Sequence, residues 1–342
     1  MLGTAQIGAL NATQVAALET GDLNAFTTTQ TRALSTAQIR ALTTTQIGGL
    51  RSTDIGELTT TQVVALTTAQ IQALGSTGFN ALSATQVAAL NSTQLGALTT
   101  TQLGGLSSSD IAELGTTQIK GLTTTAIAGL TTTNLNALTT TQTQALTTTQ
   151  VAALTTTQIG GLRTTDIGEF TTTQVKALTS AQIGALGTSN FNALNTTQVQ
   201  ALANSQIAAL TTSQIANLRT TDIGELDTDQ IAALTTTQLQ TLSTTNLNAL
   251  DNQQARSLSS TQIRALTTTQ IAGLRATDVD ELHHMQIQAF TTTQISAISV
   301  TAIPGLGIND IIGLSPAQAQ AFTQQQVGAM HWAQYWAWLR AL

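Results

Sequence analysis

An apolar residue stands at every eighth position of this chain, from Leu2, Leu10 and Leu18 to Trp338, with nothing inserted or deleted between them. It is Leu except at Phe26, Phe170, Phe290, Ile298, Phe322, Met330 and Trp338. A period kept over forty-two copies makes each copy one structural unit stacked on its neighbours, as in solenoids and other arrays.

The octad Leu42 to Gly49 reads Leu-Thr-Thr-Thr-Gln-Ile-Gly-Gly. Counting Leu42 as position 1, Thr43 and Gln46 form a capping box. The Thr hydroxyl accepts from the backbone N–H three residues on, and the Gln side chain reaches back to the Thr N–H. Positions 1 and 6 then form the hydrophobic staple that flanks such a cap. Ser315 and Pro316 test the frame independently: Ser falls at the cap and Pro at the first helical residue, where its missing N–H costs nothing. Each octad is therefore predicted to be about one and a half turns of helix, closed by Ala or Gly at position 8, where small residues let the next backbone approach. The alternative is a β-solenoid, since Thr, Ile and Val favour strands. Against it, Thr-Thr-Thr does not alternate, and the turn residues that strand corners need are missing.

One octad cannot fold alone. Ordering eight residues costs roughly 12 kcal/mol, and burying a Leu and an Ile returns about 4 to 6. Helices this short fall well below the ~12 residues at which an isolated helix is marginal in water. Stacking must supply the rest.

A second period lies over the first. Asp replaces Gln at position 5, with Glu at position 8, at Asp54/Glu57, Asp110/Glu113, Asp166/Glu169, Asp222/Glu225 and Asp278/Glu281, each 56 residues or seven octads after the last. Asn stands at position 7 on the same spacing, at Asn24, Asn80, Asn136, Asn192 and Asn248. The two series interleave at three and four octads, so one superhelical turn is expected to hold about 3.5 octads, or 28 residues. At ~1.5 Å per helical residue plus a connection, 3.5 octads enclose a cross-section about 12 Å wide, which Leu and Ile fill. Seven octads per turn would leave a costly hollow. The expected product is a filled rod on the order of 120 Å long.

Along one edge of that rod Asp54, Asp110, Asn134, Asp166, Asn190, Asp222, Asn246 and Asp278 are expected to form a structural ladder, in which an amide between two carboxylates donates to both. Arg51, Arg163, Arg219 and Arg275 sit three residues before the Asp of their own octads, at helix-pair spacing. The same edge read functionally is a row of Ca²⁺ sites, each with few carboxylates. The chain divides into a regular octapeptide solenoid over residues 1–297, degenerate octads over 298–330 and an aromatic terminal helix over 331–342. In the degenerate stretch Ala302 replaces Gln, Pro304 falls inside the short helix, and Gly307 and Ile308 take Thr positions. The terminal segment holds all three Trp and the only Tyr. Trp332, Tyr335, Trp336 and Trp338 are expected either to cover the last open turn or to contact another chain, a partner or a membrane interface.

Charged residues make up only 8% of the chain, with 11 basic against 17 acidic. The surface is expected to be a Thr/Gln/Asn/Ser coat, and the acidic balance argues against nucleic acid. There are no cysteines, which excludes disulfides and thiolate metal sites. No apolar run reaches the ~18 residues of a membrane span. The chain is in repeat phase from Leu2, which leaves no room for a Sec-type signal and points to export without one or to an excised piece. No catalytic set, metal-ligand spacing or phosphate loop is present, and no cofactor is expected. His283, His284 and His331 are expected to be bystanders.

Two resemblances follow from the octads. Leu58 to Ala65, Leu-Thr-Thr-Thr-Gln-Val-Val-Ala, resembles the opening of the repeats in transcription activator-like effectors. Their longer unit carries a base-reading loop for which this octad has no room, so DNA binding is not carried over. The whole chain resembles the Thr/Gln-rich octapeptide arrays of large bacterial secreted or surface proteins, which implies an extracellular bacterial setting. The expected function is that of a non-enzymatic structural protein, a rigid extracellular rod or filament-forming subunit whose partners are other copies or other surface proteins. The alternative is a binding module that recognises a repetitive surface such as polysaccharide or ice through its Thr/Gln/Asn ranks. A binding face needs one invariant outward residue, whereas position 7 holds Gly, Ala, Gln, Asn, Lys, Arg and Val, which favours the spacer.

Overall fold

A computed structural model describes residues 2–342. Among them the chain is an all-α solenoid of short helices, with one 3₁₀ turn at Ile303–Gly305 and no strand. The β-solenoid alternative is thereby excluded. The chain forms two compact units, one ending at Ala177 and the other spanning Leu178–Leu342. The same local unit builds both.

That unit is the capping box. In the Thr44–Gly48 helix, Thr43 is extended at φ −73° and ψ 158° and its side chain accepts from the Gln46 N–H. The Thr43 N–H in turn donates to Gln46 Oε1 at 2.8 Å. Ser315 and Pro316 take the same places at the start of the Pro316–Gln320 helix. Each cap satisfies two donors that a helix of five or six residues would leave orphaned. Leu42 and Ile47, on either side of the cap, are both buried. Helices end where small residues let turns touch: a Cβ added to Gly161 would lie 2.6 Å from Thr132 Cγ2, and one added to Gly273 would lie 2.7 Å from Thr244 Cγ2.

Turns are joined through the side chain that the cap leaves half used. Gln46 Nε2 donates to the carbonyls of Leu18 at 2.7 Å and Val15 at 3.0 Å, 28 and 31 residues back. Gln158 repeats this on Leu130 and Ile127, and in the second unit Gln270 repeats it on Leu242 and Leu239. A turn is thus 28 residues, or 3.5 octads, and each helix packs chiefly against the one three octads away. The position-5 glutamines outside the first turn and Gln318 are buried. They belong to the interior and not to the expected polar coat, because one amide satisfies three backbone groups that would otherwise be buried without partners.

Two regions depart from the rule. Pro304 forces the Ile303–Gly305 turn, and Gly307 then caps the next helix without a side chain, its N–H held by Asp310 Oδ2 at 2.6 Å. The terminal helix, Trp332–Ala341, runs for ten residues. Leu339 stands there at octad position 2, where a Thr or Ser would have ended one helix and capped the next.

Candidate functional site

The edge singled out by the 56-residue period is a repeated latch between turns. Asn136 Nδ2 donates to the Gly161 carbonyl at 3.1 Å, closing the C-terminus of a helix one turn on. Two residues later Arg163 returns the contact, with Nη2 donating to the Asn136 carbonyl. The same guanidinium grips Asp166 with two bonds, Nε to Oδ2 at 2.9 Å and Nη2 to Oδ1 at 2.7 Å. The Arg163 N–H also donates to Asp166 Oδ2 at 3.1 Å. Glu169 accepts from Thr140 Oγ1 at 2.6 Å.

Asn24, Arg51, Asp54, Glu57 and Thr28 repeat the arrangement, as do Asn192, Arg219, Asp222, Glu225 and Thr196. Asn248, Arg275 and Asp278 repeat its core. The Arg side chains are about half exposed while their Asp partners are 4 to 8% exposed. Each guanidinium is pushed above its ordinary range, chiefly by the hydrogen bond to its Asp. Burial, and then the neighbouring Asp278, raises the Glu281 carboxyl. At Asp110 the latch lacks its cation, since Ser107 occupies the Arg position and caps the carboxylate at 2.7 Å.

The ladder residues are placed differently from the amide-to-carboxylate scheme. Asn134 Nδ2 donates to the Leu106 carbonyl at 2.9 Å and Asn246 Nδ2 to the Leu218 carbonyl at 2.7 Å. These are the 28-residue bonds of the glutamines, made by a shorter amide. Asn190 is buried like them. The carboxylates Asp54, Asp166, Asp222 and Asp278 turn instead to the Arg of their own octads. An arginine offers a bidentate, charge-assisted partner, which an amide cannot match. Among the described residues no group of three His, Cys, Asp or Glu side chains is arranged to hold a metal ion, so the edge does not assemble the donor set that a Ca²⁺ row needs.

Position 7 has a task where the sequence pattern suggested free variation. Arg32, Arg40, Gln72, Gln240, Arg256 and Arg264 each donate to the position-8 carbonyl 25 residues on, at 2.9 to 3.2 Å. The histidines also have local work, since His283 Nδ1 and His331 Nδ1 accept backbone N–H groups at helix starts.

The terminal helix separates residues that the sequence grouped. Gln334, Ala337 and Ala341 are buried, whereas Trp332 is 79% exposed, Trp336 62% and Tyr335 41%. Trp338 lies on another face, since six helical steps turn it well away from Trp332. Its Nε1 donates to the Ala319 carbonyl at 2.7 Å, and its ring lies 5.6 Å from that of Tyr335. The cover over the last turn is therefore built of small residues and one indole, with the other aromatics turned outward. No described helix is long and apolar enough to cross a membrane.

Fold and edge together define an all-α solenoid of capping-box octads. Residues 15–52, 49–84, 106–140, 134–164 and 159–196 match the family described as the ALTTAQ repeat. These matches support a Thr/Gln-rich repeat array. No curated protein matches the chain.

Proposed function

We propose that the chain is a non-enzymatic structural protein, a rigid rod or filament-forming subunit that spaces or joins other components outside the cell. One observation carries this reading: the polar side chains that recur at fixed octad positions are spent on bonds between turns. The amide of position 5 is divided among a cap N–H and two carbonyls, and the Arg–Asp pairs lock neighbouring turns. Such groups brace a repeat and leave no unique constellation for chemistry. The extracellular setting rests on the compositional resemblance to secreted octapeptide arrays. The binding reading loses its central feature, because the Gln ranks are interior and the position-2 Thr oxygens are engaged by the caps.

Deleting residues 59–114, seven octads, tests the proposal by small-angle scattering and electron imaging. The product should keep its cross-section and shorten by two turns, about 20 Å at one ~10 Å helix diameter per turn. A compact particle, or a changed cross-section, would overturn the reading.

A further inference from the structure

The amide-to-carbonyl rule makes the two ends of the array complementary. In the first turn Gln6 and Gln14 accept from their own caps, Gly3 N–H at 2.8 Å and Asn11 N–H at 2.9 Å. Their Nε2 groups have no described acceptor, and both residues are exposed. The last turn shows the converse. Gln334 supplies the carbonyls of Ile303 and Leu306, but those of Leu314, Phe322 and Met330 receive no described side-chain donor. A first turn set on a last turn under the same 28- and 31-residue rule pairs both glutamines in two registers. Gln6 and Gln14 meet either Leu314/Ile311 and Phe322/Ala319, or Phe322/Ala319 and Met330/Val327. The Ala319 carbonyl belongs to both registers.

Ala319 is also the carbonyl that Trp338 Nε1 occupies, at 2.7 Å. The terminal helix carrying that indole packs on the Ile308–Ile312 and Pro316–Gln320 helices and buries Ala337 and Ala341 there. We propose that the last turn is a head-to-tail docking face for the first turn of a second copy, and that the terminal helix holds this face closed, with Trp338 taking the acceptor that an incoming glutamine would use. This deepens the structural reading above and rests on it. The contact is heterologous, so once opened it repeats and builds a filament instead of a closed dimer.

Sedimentation of the full chain tests the proposal. Wild type should run as a monomer. Ala337→Asp with Trp338→Ala places a charge and a gap under the helix, and should give species at integral multiples of 35.4 kDa. Adding Gln6→Glu and Gln14→Glu to that variant sets carboxylates against carbonyls and should restore the monomer. Trp338→Phe is the milder variant, keeping the ring and deleting only the N–H; it decides the matter if circular dichroism shows the double variant to be misfolded, and should associate at concentrations where wild type does not. The proposal fails if wild type already polymerises, if neither opened variant associates, or if association persists with glutamate at positions 6 and 14. None of these results touches the spacer reading, whose test is the length and width of the single particle.

Discussion

Truncating one interior glutamine measures what holds the turns together. Gln158 accepts the Thr155 N–H at 2.7 Å and donates to Ile127 and Leu130 at 2.9 and 2.7 Å. Gln158→Ala leaves the Leu130 carbonyl without a donor in a buried position. The Ile127 carbonyl keeps one bond, from the Leu130 N–H at 3.2 Å, while the Thr155 N–H turns to water. A buried orphaned carbonyl costs about 1 to 3 kcal/mol, and the lost half of the capping box about 1 kcal/mol. Removal of a packed side-chain stem adds about 1 kcal/mol, so the total is about 3 to 5 kcal/mol. Gln14→Ala is the internal reference, since Gln14 makes the capping bond and no described inter-turn bond. It should cost about 0.5 to 1 kcal/mol. Repeat arrays do not unfold in one step, so hydrogen exchange of the amides around residues 127–130 and 155–159 should accompany urea titration. The two variants should differ by about 2 to 4 kcal/mol. A difference below about 0.5 kcal/mol would refute the claim that position-5 amides clamp the turns. Gln158→Glu should be worse than Ala at neutral pH, because both donors are gone and a carboxylate faces two carbonyls. Burial raises the pKa of that carboxyl in the folded state, so the native chain binds the extra proton and the variant should recover as pH falls.

Three further outcomes follow from the same geometry. Asp310 is buried with its carboxyl pushed up by desolvation; the folded form holds the proton more tightly than the unfolded chain, so stability contributed by this group falls as pH rises through the shifted value. Asp310→Gln should therefore stabilise at neutral pH, by about 1 to 2 kcal/mol from regained bonds to the Leu282 and Val279 carbonyls, with the gain shrinking in acid melts. Ala255 stands at the usual Ile position beside a void of about 20 Å³, and Ala255→Val should add about 1 kcal/mol; a lowered melting temperature would mean that the space cannot take the methyls. Of the three tryptophans, Trp332 and Trp336 should be quenched readily by acrylamide and Trp338 poorly, which single-Trp variants resolve by fluorescence.

The capping box was legible because it is local: Thr43 and Gln46 are three residues apart, and their chemistry fixes both bonds. The 28-residue turn was legible from the alternation of Asp and Asn octads, a pattern set by which residues lie above one another. The inter-turn use of Gln46 was not read, since it depends on which carbonyl a superhelix brings overhead. A signal was present. Glu completes a capping box as well as Gln does, yet Glu never occupies position 5 in this chain, and only the amide brings a donor. At the edge, the Arg–Asp spacing was visible, whereas the grip of Arg163 on the Asn136 carbonyl joins residues 27 apart and needed coordinates. The terminal aromatics were grouped by proximity in sequence, and helical phase then divided them.

A tandem gene gains and loses copies when its strands slip during replication, and the latch determines where such accidents are harmless. Any glutamine finds a position-1 carbonyl 28 residues back whichever octad was added, so the general ladder is indifferent to copy number. Asn136 and Arg163 are less forgiving: one octad inserted between them carries the guanidinium away from its carbonyl, while the same octad inserted between Arg163 and Asn192 leaves both latches whole. Variation in length should therefore collect in the stretches between an Arg and the next Asn, with the spans from Asn to Arg kept constant. The array would then grow or shrink as a chain of fixed clasps on adjustable links.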